Sequence, residues 1–116
     1  MKMIYQVAEL LNEDGSSPYA EWFNGLDAQA AAKVTTAKVR MVSGNFSSIE
    51  WFRGIGEYKI DWGPGLRIYL ARDGEKLIVL LGGGTKRGQQ RDIDRAVKRW
   101  QEYKQRKNTA QTGKRK

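Results

Sequence analysis

The chain has 116 residues, a formal net charge of +8, and neither cysteine nor histidine. That composition excludes disulfides and thiolate metal sites, and removes the commonest metal ligand and the commonest general acid or base near neutral pH. Any chemistry must use carboxylates, lysine, arginine or tyrosine. The length predicts one domain with a modest core. Glu9 follows the early lysine too closely for a signal peptide, and no apolar run approaches the roughly 20 residues that span a bilayer. A cytoplasmic protein without a membrane partner is expected.

The charge is unevenly spread. Residues 1–52 carry four basic and six acidic side chains, residues 53–99 eleven and six, and residues 100–116 six and one. A basic second half suggests a polyanionic partner, most simply nucleic acid. A basic tail on a near-neutral domain would give the same total.

In chain order, residues 3–9 fit a first strand, followed by turn chemistry over 12–17. Ser17-Pro18 reads as an N-cap with proline at the first helical position, opening a short helix that ends at Gly25. Trp22 and Phe23 are expected in the core. Asp27 caps a second helix over 28–42, with Ala30, Val34, Ala37 and Met41 on one stripe. The two helices should form a hairpin over one sheet face. Residues 46–53 fit either a loop or the start of the next strand.

Residues 54–90 hold three apolar-rich runs separated by Gly63-Pro64-Gly65 and Asp73-Gly74, which predicts an antiparallel meander. Burying Ile60 with Ile68 requires Lys59, Asp61, Arg67 and Tyr69 to share the other face. If Trp62 and Leu66 close the first turn, Asp61 lies opposite Arg67 and Lys59 opposite Tyr69. A two-residue Asp73-Gly74 turn would pair Arg72 with Glu75 and Leu70 with Leu77. The third run is apolar over 77–81, so it should be buried on both faces. A C-terminal helix with the stripe Ile93, Ala96, Val97, Trp100 and Tyr103 would then cover Ile78 and Leu80. The expected fold is α+β: one domain over residues 1–107 with a small antiparallel-rich sheet, an N-terminal helical hairpin and a C-terminal helix. Residues 108–116 form a basic tail, expected to be disordered.

Lys59, Arg67 and Tyr69 on one face, with Lys86 and Arg87 at the strand exit, form the first candidate site. Cleaving RNA through its own 2′-hydroxyl needs a proton acceptor, a clamp for the charged phosphate and a proton donor for the leaving oxygen. Clustered cations lower one another's proton affinity, which suits lysine to proton transfer, while arginine stays charged and clamps phosphate. Tyrosine can stack on a base or move a proton. The same residues would also suit an exposed face with a weak Asp61–Arg67 pair. The loop Gly82 to Gly88 lacks the G-x-x-x-x-G-K-[ST] pattern of nucleotide hydrolases, because Arg87 follows Lys86. Asp92/Asp94 and Asp73/Glu75 fit capping and turn roles, and no metal or cofactor is expected.

The run GIGEYKIDWGPGLRIY, residues 54–69, resembles the G-x-G-x-x-E-L-R-x-x-x-G-P-G-x-R-V-Y type signature of RelE/HigB-like toxins. Leu80-Leu81-Gly82-Gly83-Gly84-Thr85-Lys86, followed by Gln89 and Asp92-Ile93, resembles the L-L-x-G-G-D-K-x-x-Q-x-x-D-I of their phage-derived addiction module killer branch. The resemblance implies the toxin of a type II toxin–antitoxin pair: a small α+β protein that cleaves mRNA on the ribosome without a metal. Its implied partner is a helix-turn-helix antitoxin.

Carried over, Arg67 is the implied phosphate and transition-state clamp. Lys86 is implied in phosphate binding or proton transfer, Lys59 stands where the branch usually has arginine, and Thr85 replaces its aspartate. Tyr69 is a secondary catalytic candidate, and Arg53, Arg87, Arg91 and Lys98 are candidate RNA-binding residues. Relatives of the ParE branch poison gyrase instead, so a non-catalytic toxin is the alternative. A nucleic-acid-binding module without toxicity is the third.

Overall fold

The computed structural model describes residues 4–114, with side chains through Thr109. Capping chemistry sets the first two helices. Ser17 Oγ accepts from Ala20 N at 3.0 Å and opens α1 (Pro18–Asn24); Asp27 Oδ1 accepts from Ala30 N at 2.8 Å and opens α2 (Ala28–Val42). Each cap satisfies a backbone donor that has no intrahelical partner. Ala30, Val34, Ala37 and Met41 are all buried, so the stripe expected on α2 is the face it packs with.

The sheet has five strands: β1 (Gln6–Glu9), β2 (Ile49–Phe52), β3 (Ile55–Ile60), β4 (Leu66–Asp73) and β5 (Leu77–Thr85), in the order β1-β5-β4-β3-β2. Residue 3 lies outside the described residues, and the first strand begins at Gln6. It pairs parallel with β5; every other pair is antiparallel. The ambiguous run 46–53 supplies an edge strand. Its two-residue turn, Arg53-Gly54, has positive φ at both positions (53° and 82°), the geometry whose twist suits a tight hairpin.

Both hairpin registers differ from those expected. Across β3–β4, Lys59 pairs with Arg67, Glu57 with Tyr69 and Ile60 with Leu66. The shift is two residues, so the shared face survives, but Asp61 leaves the strand and does not face Arg67. A longer loop causes it. Trp62 N donates to Ile60 O and Gly65 N to Trp62 O, both at 3.0 Å, while Gly63 and Gly65 take φ of 56° and 79°.

The β4–β5 turn is three residues long, pairing Asp73 with Leu77, Leu70 with Leu80 and Ala71 with Val79. An odd shift inverts which side chains share a face. Ile78 and Leu80 therefore face α1 and α2, with Tyr58, Ile68 and Leu70. The C-terminal helix α3 (Gln89–Lys114) covers Val79 and Leu81 instead, through Ile93, Ala96, Val97 and Trp100. A strand apolar on both faces carries no alternation that could fix its register. A second irregularity between Tyr69 and Leu70 then sets Arg67 opposite Gly84 and Tyr69 opposite Gly82.

The helix α3 continues through Lys114, past the boundary expected at residue 107; residues 115–116 lie outside the described residues. The helix thus takes in part of the stretch expected as a tail. The helix is fastened to the far end of the sheet by Asp73, which accepts from Tyr103 Oη at 2.7 Å and from Lys107 Nζ at 2.8 Å. These bonds, first Lys107 and then Tyr103, hold the Asp73 carboxyl below its ordinary 3.8. A depressed folded pKa gives stability that is complete above the unfolded value and lost as pH falls through the folded one. Asp73→Asn should therefore cost about 1 kcal/mol at neutral pH, with a deficit that disappears in acid below pH 3.8. Urea titrations at both pH values check this.

No helix among the described residues is long and apolar enough to cross a membrane.

Candidate functional site

The Gly-Pro-Gly loop and the basic β5 exit are far apart in sequence, yet the fold bonds them directly. Lys86 N donates to Gly65 O at 3.0 Å. A methyl group placed at Gly65 would stand 3.4 Å from Lys86 Cβ and 3.7 Å from Arg67 Nη1, so Lys86 and the Arg67 guanidinium flank one backbone position. Glycine is favoured there by its positive φ, whereas a Cβ would make only ordinary contacts with the two side chains.

Behind them lies Glu57, 1 % exposed, whose carboxylate organises the face. Its Oε2 accepts from Gln89 Nε2 at 2.8 Å and from Tyr69 Oη at 3.1 Å, and stands 3.8 Å from Arg67 Nε. Its Oε1 stands 3.9 Å from Lys59 Nζ, which also reaches Glu50 at 2.7 Å. Arg67 is largely buried, with 11 % of its side chain exposed, and its Nε has no hydrogen-bond partner among the described residues. Lys59 and Lys86 are exposed. The cluster thus gathers Arg67 and Lys59 about one buried carboxylate, with Lys86 beside the Arg67 guanidinium and Glu50 and Asp92 at its margins.

The expected face is accordingly not an open sheet surface. The first turn of α3 crosses it, bringing Gln89 onto Glu57 and Asp92 onto Gly84, where a Cβ would collide with Asp92 Oδ2. Tyr69 is 1 % exposed and donates inward, and burial, followed by the Glu57 charge, pushes its phenol pKa up. The roles expected for Tyr69, stacking on a base or moving a proton, give way to that of a fixed donor to Glu57. Asp61 forms no ion pair among the described residues.

The other expected residues are dispersed. Arg53 stands on the β2–β3 turn and is engaged by Asp94 Oδ1 at 2.8 Å. Arg87 and Arg91 are exposed and line an open hollow beside the β5 end, and Lys98 is exposed further along α3. Sequence reasoning gave Glu57 no role. Alternation did set it on the same side as Lys59, but nothing in the local pattern shows that Gln89 folds back over it. Among the described residues, no group of three or more aspartates and glutamates stands close enough to hold a metal ion.

An α+β fold with a mixed five-stranded sheet between an N-terminal helix pair and a C-terminal helix, carrying a Glu-centred cluster of cations, defines the class. No family model matches the chain. It is 38% identical over 80 residues to an uncharacterized protein of Haemophilus influenzae, a match that takes in 67% of this chain and 81% of that protein. The chain belongs to the same family as that protein, whose description names no activity.

Proposed function

We propose that the protein is a metal-independent endoribonuclease, the toxin of a type II toxin–antitoxin pair acting on ribosome-bound mRNA. The observation that carries this reading is the cluster itself: Arg67 and Lys59 beside buried Glu57, with Lys86 next to the Arg67 guanidinium across Gly65. The guanidinium and the two exposed lysines can hold an anion, and a scissile phosphate has the charge and the acceptor geometry for them. The likeness of residues 54–69 and 80–93 to RelE/HigB-like toxins supports the same reading and supplies its partner, a helix-turn-helix antitoxin.

In this mechanism the RNA 2′-oxygen gives up its proton, attacks the adjacent phosphorus and displaces the 5′-oxygen, which takes a proton. The products are a 2′,3′-cyclic phosphate and a 5′-hydroxyl. The exposed edge of Arg67 holds the equatorial oxygens. Lys86 and Lys59, on either side, neutralise developing charge and carry the protons. Glu57 fixes Arg67 and Lys59 in place through charge, and is itself fixed by Tyr69 and Gln89.

Mapping mRNA ends after induction tests the reading. New 5′-hydroxyl ends within coding regions, absent when the antitoxin is co-expressed, are expected. Growth arrest with intact transcripts and damaged DNA would instead identify a gyrase poison.

A further inference from the structure

Beside the cluster, on the other flank of the α3 start, runs a groove lined in part by Arg87 and Arg91, two of the candidate RNA-binding residues. The strand β1 pairs with β5 only over Leu77–Leu80, so the Gly82–Thr85 stretch of β5 continues past it. The gap is bordered by α1 and α3. Trp22, half-buried, lies against Gly83, where a Cβ would collide with its ring. Arg91, Arg95 and Arg99 follow at four-residue spacing on α3, one above another on a single helix face. Two adjoining hollows result, a half-open one of about 290 Å³ bordered by Arg95 and Arg99 and a more open one of about 740 Å³ bordered by Arg87 and Arg91; Trp22 and Gly83 border both.

We infer that this groove is a binding track for single-stranded RNA, along which a strand cut at Arg67 and Lys86 continues. Its ingredients are those of sequence-tolerant single-strand binding: a row of cations that follows the backbone and an aromatic wall against which a base rests. Arg87 follows Lys86 directly, so the track starts where the proposed cleavage site ends. Among the described residues, Arg87, Arg91 and Arg95 form no ion pair, although Glu21 and Asp92 stand on the walls. Arg99 has a different task. Its Nη1 donates to Leu81 O at 3.1 Å and lies against Gly82, which caps that end of the strand edge. A capped edge with Trp22 across it is poorly suited to an added peptide strand. The track rests on the nuclease reading only for the course of the strand beyond the cut.

The test uses the full chain and a 2′-O-methyl RNA oligonucleotide, which lacks the attacking hydroxyl and cannot be cut. The double variant Arg91→Gln/Arg95→Gln is expected to bind it at least about tenfold more weakly. Its log Kd against log salt should be shallower by about 1.4, the loss of two phosphate contacts to a single strand. Trp22→Phe, which keeps an aromatic ring on Gly83, is expected to weaken binding a few-fold. Unchanged affinity and salt slope in the double variant overturn the track. So does loss of polyglutamate binding with RNA binding intact, which would make the groove an acidic-protein site. If wild type never cuts ribosome-bound mRNA while the double variant still loses binding, the nuclease reading fails and the track stands. Cutting with binding indifferent to the double variant gives the reverse.

Discussion

Arg67→Ala is expected to lower RNA cleavage by about a hundredfold to a thousandfold, the cost of removing one preorganised donor from a developing oxyanion. Growth arrest at equal expression should vanish with it. Arg67→Lys should recover little, because an ammonium reproduces the charge but not the planar pair of donors. The fold should survive Arg67→Ala, since Glu57 keeps its two shortest contacts, those from Gln89 and Tyr69. A single-turnover assay of purified protein on mRNA bound to ribosomes, with circular dichroism as the folding check, gives the answer. Cleavage within a few-fold of wild type would remove Arg67 from the site.

Glu57→Ala is expected to destabilise the protein by about 3 kcal/mol, the sum of two hydrogen bonds to a buried charged acceptor. It would strand Tyr69 Oη and Gln89 Nε2, and would leave Arg67 and Lys59 without the carboxylate between them. Glu57→Gln keeps an acceptor and should cost about 1 kcal/mol, yet it removes the charge that holds both cations. The two substitutions therefore separate stability from activity: alanine lowers both, whereas glutamine lowers cleavage far more than stability. Urea unfolding of the pair measures this. Equal stability of wild type and Glu57→Ala would show that the carboxylate is not the centre of the cluster.

The elements whose signals are local were legible in the sequence, and those set by distant partners were not. Ser17-Pro18 and Asp27 give both helix starts, because a cap acts within three residues. Face parity across β3 and β4 also follows from alternation, and with it the grouping of Lys59 and Arg67. Register does not. The Gly-Pro-Gly loop is held open to five residues by its contact with Lys86, some twenty positions downstream, and the all-apolar β5 accepts either parity. The site was legible as a set of cations and illegible as a cluster. Its centre, Glu57, gains its partners from Gln89 and Tyr69, and burial under α3 converts Tyr69 from a surface group into a buried donor. The stretch from residue 108, polar and without an apolar stripe, reads as unstructured, yet it extends a helix already anchored at Asp73. Propagating a nucleated helix needs far less of a sequence than starting one.

The parallel pairing of β1 with β5 has a consequence for how the protein comes off the ribosome that makes it. The first strand emerges early, but its partner among the described residues, Leu77–Leu80, is translated after the helix pair and three further strands. The helix pair can form at once from local contacts, whereas the sheet has to wait. Gln89, which seats Glu57, emerges later still. A nascent chain therefore holds its cations on unfinished backbone until nearly all of it is exposed, and becomes competent only as a completed molecule. On the proposed toxin reading, that delay would give an antitoxin the whole of synthesis in which to accumulate.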